Sequence, residues 1–184
     1  MMSNRKVALY IAMSLDGYIA KHDNDISFLN VVDQEGEDYG YSTFSPTIDT
    51  YIVGRKTYEV VVGMVGNFPQ AKDFDCYVVT RSARENEHGV TFYQGDPGAL
   101  VRELKSKPGK NIYCDGGAEI IQALMRENLV DIYIVSVIPY ILGDGIRLFK
   151  GGTPEHQLTL IGSKQFSSGL VQLHYEKKSP DGES

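Results

Sequence analysis

The chain has 184 residues, with 42% hydrophobic and 23% charged residues, which are ordinary values for one globular domain. Its formal net charge is −6 and no basic run exceeds two residues before the tail, so we expect no nucleic-acid partner. Apolar stretches are too short for a transmembrane helix, and the histidines show no metal-ligand spacing. Cys76 and Cys114 lie in apolar, strand-like runs. We therefore expect a cytoplasmic protein with no membrane partner and no metal.

Apolar periodicity and turn residues divide the chain into predicted elements. Strands are predicted over residues 5–13, 49–54, 74–80, 90–94, 111–115 and 130–139, and helices over 55–63, 97–107 and 118–128. Residues 21–33 are predicted to form a loop, and residues 34–44 a short acidic helix that Gly36 and Gly40 weaken. Two last strands, over 156–166 and 170–178, flank a Ser-Ser-Gly turn and are predicted to form an antiparallel hairpin.

This order of elements predicts the architecture. Strands that alternate with helices build a mostly parallel sheet with helices on both faces, and the final hairpin adds an antiparallel edge. The predicted fold class is therefore α/β, a three-layer sandwich, in a single domain that covers residues 1–178. The remaining residues, 179–184, form a polar tail that we expect to be disordered.

The most informative segment is Ile112–Leu124, in which an apolar run ends in Asp115, Gly116 and Gly117 and a helical run follows at once. Glycine lets backbone amides approach a ligand closely, and the free N–H groups of a helix start favour an anion. The segment therefore indicates a phosphate cradle. A glycine pair also occurs where a strand only turns tightly into a helix, and that alternative stays open.

Two other predicted strand ends carry cations. They are Gly54-Arg55-Lys56-Thr57 and Thr80-Arg81-Ser82. Cations at a helix start oppose the helix dipole by about 0.3–1 kcal/mol, so this placement favours a bound anion, although a solvated helix start is the alternative. In open α/β sheets, ligands bind at the carboxyl ends of the strands, where all three clusters are expected to lie.

Five segments occur in the order and spacing of the dihydrofolate reductase fold: IAMSLDGYIA, DTYIVGRKTYE, CYVVTRS, IYCDGGAEII and IPYILGDGIRLF. Together they resemble the riboflavin-biosynthesis reductases of that superfamily, namely the reductase half of the bifunctional deaminase-reductase and its stand-alone relatives. The resemblance spans about residues 5–176, and no H-x-E followed by P-C-x-x-C marks a zinc deaminase half. It implies an NADPH-dependent, 5-amino-6-(5-phosphoribosylamino)uracil reductase-like enzyme that pairs as a homodimer and reduces a small-molecule heterocycle or a ribose-derived imine.

The resemblance also implies which residues hold each ligand. The cofactor contacts it implies are Gly54, Arg55, Lys56 and Thr57 for the pyrophosphate and adenosine, Thr80, Arg81 and Ser82 for the adenine ribose and its 2′-phosphate, and Asp115, Gly116, Gly117, Ala118, Glu119 and Ile120 for the pyrophosphate cradle. The backbone of Ala12 and Ile19 would border the nicotinamide carboxamide. The expected substrate contacts are Asp16, Leu142 and Gly143.

The catalytic acid has several candidates. Asp38 lies sixteen residues before Gly54, the spacing of the proton-relay acid in dihydrofolate reductases, but Glu35 and Glu37 are close competitors. Riboflavin-type reductases do not generally depend on that acid. For Asp16, the alternative to a substrate contact is that it only forms the turn after the first strand. The chain contains no tryptophan, so the pterin-binding loop has no counterpart. A reductase of another heterocycle, and a non-catalytic nucleotide- or flavin-binding protein, remain as alternatives.

Overall fold

The structure is a computed structural model that describes residues 4–178, so the predicted tail at 179–184 lies outside the described residues. Its strands are β1 Val7–Ser14, β2 Tyr18–Ala20, β3 Ile48–Gly54, β4 Asp75–Thr80, β5 Val90–Gln94, β6 Asn111–Gly116, β7 Ile132–Ile138, β8 Ile146–Arg147, β9 Leu158–Gln165 and β10 Val171–Lys177. Its α-helices are α1 Tyr41–Phe44, α2 Arg55–Val65, α3 Pro97–Ser106 and α4 Ala118–Arg126. Short 3₁₀ helices cover Ser27–Val32, Ser45–Thr47 and Pro69–Lys72.

The main sheet has eight strands in the order β5-β4-β3-β6-β1-β7-β10-β9. From β5 to β7 all neighbours are parallel, whereas β10 is antiparallel to both β7 and β9. The strands β2 and β8 form a separate antiparallel ribbon. The predicted mostly parallel sheet with an antiparallel C-terminal hairpin is therefore confirmed.

Helices cover both faces of this sheet because side chains alternate along its strands. On one face, Leu9 and Ile112 pack in a cluster with Leu100 of α3 and Leu124 of α4. The opposite face carries a second cluster, in which Tyr113 of β6 joins side chains of α1 and α2. These two clusters complete the predicted three-layer sandwich.

Several predicted elements differ from the structure. The acidic helix over 34–44 is wrong except for the single turn of α1, because Gly36 and Gly40 adopt φ values of 79° and 92° that a helix cannot contain. The helix predicted to end at Gly63 continues to Val65 and ends at Gly66, which has the left-handed conformation of a helix C-cap. The predicted loop over 21–33 contains a 3₁₀ helix.

The parallel strands define the place of the candidate site. Since β1, β3, β4, β6 and β7 run in the same direction, their carboxyl ends lie along one edge of the sheet. The three predicted ligand clusters and the loop after β7 all follow strands at this edge.

Candidate functional site

The turns β3–α2 and β6–α4 touch one another at the carboxyl edge of the sheet. A Cβ atom added to Gly54 would lie 3.1 Å from Ile120 Cδ1 and 3.4 Å from the Gly117 backbone nitrogen. Val53 pairs with Gly116 in the sheet, which sets this approach. The structure thus brings the first and third predicted clusters together, and a side chain at position 54 would press on the tip of Ile120.

The two cradle glycines differ in their backbone conformation. Gly116 has φ +132°, which side chains rarely adopt, and the peptide that joins it to Gly117 is cis. Gly117 has φ −56° and is the N-cap of α4; a Cβ atom there would meet only Thr57 Oγ1, at an ordinary 3.7 Å. Gly116 is therefore required by the fold itself, whereas Gly117 keeps open the space beside Thr57.

The helix N-termini at this edge are not equivalent. The first turn of α3 is closed, because the Asp96 carboxylate accepts a hydrogen bond of 2.7 Å from the Ala99 N–H. By contrast, α2 begins after Gly54 and α4 after Gly117, and neither N-cap makes a side-chain hydrogen bond. The N–H groups of the first turn of α2 and those of Ala118 and Glu119 in α4 are thus available to an anion, whereas the Ile120 N–H donates to the Gly117 carbonyl at 3.0 Å.

The predicted cations border these two open helix starts. Arg81 donates to Glu119 Oε2 at 2.7 Å, with side chains that are 90% and 77% exposed, so the second cluster reaches the third. Arg55 pairs with Glu59 at 3.4 Å, and Lys56 is exposed. Exposed ion pairs of this kind contribute little stability, so an incoming polyanion can compete for both arginines.

The short segment Thr80–Ser82 is held by its own hydrogen bonds. The Ser82 N–H donates to Thr80 Oγ1 at 3.3 Å, and the Thr80 hydroxyl donates to the Ser82 carbonyl at 3.1 Å. Thr80 is buried and Ser82 is exposed. Thr80 therefore shapes the turn that presents Arg81, and Ser82 keeps its side chain accessible.

The three predicted substrate residues form one hydrogen-bonded unit. Asp16 accepts hydrogen bonds from the Leu142 N–H at 3.0 Å, the Gly143 N–H at 2.7 Å and the Ser14 hydroxyl at 2.6 Å. The hydrogen bond from Ser14, with those from Leu142 and Gly143, lowers the pKa of Asp16 to about 2. Asp16 is therefore an ionised clamp between the loop after β1 and the loop after β7.

The two predicted nicotinamide neighbours lie in different parts of the core. Ala12, near the carboxyl end of β1, packs with Phe28 and Ile138. Ile19, in β2, packs against the cluster beneath α3 and α4. The structure therefore does not bring Ala12 and Ile19 into one hydrophobic cluster.

Asp38 lies in the turn before α1 and holds the backbone there. Its two carboxylate oxygens accept hydrogen bonds of 2.8 Å from the backbone N–H groups of Gly40 and Ser42. Hydrogen bonds from Ser42 and Gly40 hold the pKa of Asp38 below its usual value. Both carboxylate oxygens of Asp38 are thus occupied and its acid form is disfavoured, so this environment opposes the predicted relay role. The competitors are also exposed, and Glu37 accepts a bond from the Tyr39 N–H.

A second acid, Asp115, was expected to contact the cofactor pyrophosphate, and in the structure its side chain contacts a tyrosine. Its carboxylate accepts a 2.7 Å hydrogen bond from the buried Tyr113 hydroxyl, which lies 3.1 Å from the Tyr10 carbonyl. Burial and the charge of Asp115 raise the pKa of both Tyr113 and Tyr51. The alternation along β6 places Tyr113 and Asp115 on the same face, so the sequence contained this signal.

Two other features complete the description. A cavity of about 460 Å³ lies at the amino ends of β3, β4 and β6, lined by residues that include Tyr41, Gln70, Phe74 and Lys110, and it is separate from the carboxyl edge.

Within residues 4–178, no group of three or more His, Cys, Asp or Glu side chains could hold a metal ion. In the same residues, no helix has the length and apolar character needed to cross a membrane.

Comparison with known proteins identifies the family. The model of the RibD C-terminal domain family matches residues 5–172. The uncharacterized protein YwjB of Bacillus subtilis (strain 168) is 47% identical over 173 residues, which cover 93% of this chain and 97% of YwjB. The uncharacterized protein YyaP of the same organism is 29% identical over 187 residues, which cover 95% of this chain and 96% of YyaP.

Solved structures agree with this result. A protein from Shewanella sp. PV-4, described as a riboflavin biosynthesis protein, superimposes with a TM-score of 0.83 at 26% identity, over 95% of this chain and 99% of that one. The deaminase/5-amino-6-(5-phosphoribosylamino)uracil reductase of Thermotoga maritima shares the fold, with a TM-score of 0.69 at 15% identity, over 95% of this chain and 57% of that one. The dihydrofolate-reductase-like fold expected from the five segments is thus confirmed, and the chain belongs to the RibD C-terminal domain family of riboflavin-biosynthesis reductase-like proteins.

Proposed function

We propose that this protein is an NADPH-dependent oxidoreductase that reduces a polarised C=N or C=O bond of a small heterocycle or a ribose-derived imine. The observation that carries the proposal is the contact between the two uncapped helix starts, where Gly54 approaches the Gly117 nitrogen so closely that a Cβ atom would lie 3.4 Å from it. Membership of the RibD C-terminal domain family supports the reductase class.

The residues around this contact fit a dinucleotide. Backbone N–H groups in the first turns of α2 and α4 would hold the pyrophosphate, and the space beside Thr57 that Gly117 leaves open admits it. Arg55, Lys56 and Arg81 would face the 2′-phosphate. When bound, the reduced nicotinamide supplies the hydride, while the protein positions the reacting atoms and excludes water.

We propose that Asp115 relays a proton from solvent to the reduced atom through its Oδ2, because the Tyr113 hydroxyl occupies Oδ1. Asp115 lies at the carboxyl end of β6, directly before the glycine pair, and the Tyr113 hydroxyl fixes its orientation at 2.7 Å. Its partly buried position contrasts with the exposed turn that holds Asp38. Proton transfer by a positioned acid contributes about 10²–10⁴-fold to the rate.

The proposal is tested by measuring NADPH binding and NADPH oxidation separately. We expect isothermal titration to give one NADPH per chain and a micromolar or lower Kd, and we expect oxidation of NADPH at 340 nm with a ribosylaminopyrimidine or another heterocyclic imine. Binding without oxidation across a panel of such substrates would favour a nucleotide-binding protein without catalysis. Absence of NADPH binding would overturn the proposal altogether.

A further inference from the structure

The negative charge of this chain is concentrated in one segment, residues 15–38. The segment contains seven acidic residues and one lysine, so its formal charge is −6, which equals the net charge of the whole chain. The remaining residues therefore carry equal numbers of positive and negative charges. The acids are Asp16, Asp23, Asp25, Asp33, Glu35, Glu37 and Asp38.

This acidic segment lies over the carboxyl ends of β1 and β7, beside the predicted substrate contacts. The Leu15 N–H donates to the Tyr140 carbonyl at 2.9 Å, and Phe28 packs with Ile138 and Leu170 in one buried cluster. The segment thus covers the substrate half of the same edge that carries the open helix starts of α2 and α4.

The backbone donors in this half already hold an anion that belongs to the protein. The N–H groups of Leu142 and Gly143 are backbone donors of the kind that a glycine turn offers to a phosphate. Both donate to the Asp16 carboxylate, which is ionised at neutral pH. A substrate phosphate would have to displace this carboxylate.

The cations of this half are also engaged. Lys21 pairs with Asp25, and His22 lies 3.1 Å from Asp144. Arg147 donates to the Tyr18 hydroxyl at 2.8 Å and lies over the Tyr18 ring. A phosphate monoester carries a charge of about −1.5 to −2 at pH 7 and could compete for these exposed cations, so its exclusion rests on Asp16 and on the acidic segment.

The exposed side chains at this edge are apolar. Leu15 and Ile141 are each 63% exposed, and the adjacent Tyr140 is 39% exposed with its ring 6.0 Å from that of Phe28. Exposed apolar side chains that are grouped at the end of a sheet are typical of a surface that binds an organic ligand.

From these observations we infer that the substrate half of the cleft selects an uncharged, planar heterocycle and rejects its phosphorylated form. This inference rests on the proposed function, because it concerns the substrate of the same cleft. It separates this chain from an enzyme whose substrate is a phosphoribosyl compound, and it assigns the selection to Asp16, to the acidic segment and to the apolar rim.

The first test uses a matched pair of ligands, 5-amino-6-ribosylaminouracil and its 5′-phosphate, with the NADPH-saturated wild-type protein. We expect the unphosphorylated compound to bind at least about tenfold more tightly, and we expect the difference to shrink as the salt concentration rises. Equal or tighter binding of the phosphate would overturn the inference. NADPH binding is measured first, so a failure of the proposed function is recognised separately.

The second test reverses the charge of two residues in the acidic segment. Asp33 and Glu35 are exposed and make no hydrogen bond through their side chains, so D33K/E35K should preserve the fold and reduce the preference by about tenfold. The matched control, E85K/E155K, changes the net charge equally at exposed positions outside the segment and should leave the preference unchanged. Equal effects of the two double variants, or binding of neither ligand by any of these proteins, would overturn the inference.

The apolar rim is tested in the same way. The double variant L15S/I141S should weaken the unphosphorylated ligand by about tenfold without changing the NADPH Kd. The control L160S/I161S removes apolar groups of similar exposure, 54% and 52%, from the edge strand β9 and should change neither affinity. A ligand affinity that is insensitive to L15S/I141S would contradict the role of the rim.

Discussion

Two carboxylates, Asp38 and Asp115, have contrasting environments at the scale of single residues. Asp38 is held by two backbone N–H groups in an exposed turn, whereas Asp115 meets a buried tyrosine hydroxyl beside the glycine pair. Both are one or two residues from a conformationally special glycine, so sequence spacing alone could not separate them.

Substitution of these two acids should therefore have unequal effects. We expect Asp115→Asn to lower kcat by roughly 10²-fold or more, because an amide cannot pass on a proton while its oxygen still accepts the hydrogen bond from Tyr113. Asp38→Asn should leave kcat within about threefold, since Asp38 only holds the turn before α1 and an asparagine oxygen can still accept one of its two hydrogen bonds. Steady-state kinetics with NADPH Kd as the control decides between them, and a large loss in Asp38→Asn alone would restore the spacing-based prediction.

The lowered pKa of Asp16 leads to a prediction about the effect of pH. Its pKa is lowered to about 2 in the folded protein, chiefly by Ser14, so the clamp is complete above the unfolded value near 3.8 and is lost as pH falls through about 2. We expect the amide resonances of Leu142 and Gly143 to titrate together near pH 2 in NMR spectra. In Asp16→Asn this titration should vanish, and a midpoint near 3.8 in the wild-type protein would show that the clamp is not formed.

At the scale of elements, the two helix starts next to Gly54 and Gly117 make the sharpest test of the cradle. Gly117→Ala adds a methyl group that the fold accepts, 3.7 Å from Thr57 Oγ1, but that fills the space beside the backbone. We expect at least about a tenfold loss of NADPH affinity and little change in Tm. Substitution of Gly116 could not separate these effects, because its φ of +132° strains any side chain.

The matched control for this variant is Gly63→Ala. Gly63 lies inside α2, where an added Cβ atom has nothing within 4 Å, so the substitution should raise helix stability and leave NADPH binding unchanged. If Gly117→Ala binds NADPH as tightly as this control does, the N-terminus of α4 is not the pyrophosphate site.

The strands and the glycine pair were predictable because their information is local. Buried parallel strands are nearly continuous apolar runs, and Gly116 and Gly117 follow one of them directly. The clamp between Asp16 and Gly143 could not be predicted from local pattern, since its partners are 127 residues apart. The helix predicted over 34–44 is too long because an acidic run is typical of a helix surface. In the structure two glycines with positive φ prevent a helix over most of this run, and only the single turn of α1 forms.

At the scale of the whole molecule, the distribution of charge divides the cleft into two halves. Residues 15–38 account for the entire net charge of −6, while Arg55, Lys56 and Arg81 follow neighbouring strands on the cofactor side. An acidic protein with a locally basic strand edge favours an anion only at that edge. The same uneven distribution of charge would therefore favour the 2′-phosphate of the cofactor on one side and disfavour a phosphate group of the substrate on the other.

NADPH should bind more tightly than NADH, because only NADPH carries the 2′-phosphate that the cations can meet. Since Arg81 is 90% exposed and already pairs with Glu119, we expect a preference on the order of tenfold, which falls as the salt concentration rises. R55A/R81A should bring the two affinities nearly together, whereas Glu119→Gln should widen the gap by freeing Arg81. The control R102A/R126A removes two exposed arginines, one in α3 and one in the last turn of α4, and should leave the preference intact. Equal titration curves for NADH and NADPH with the wild-type protein at low salt would show that Arg55 and Arg81 do not face a 2′-phosphate.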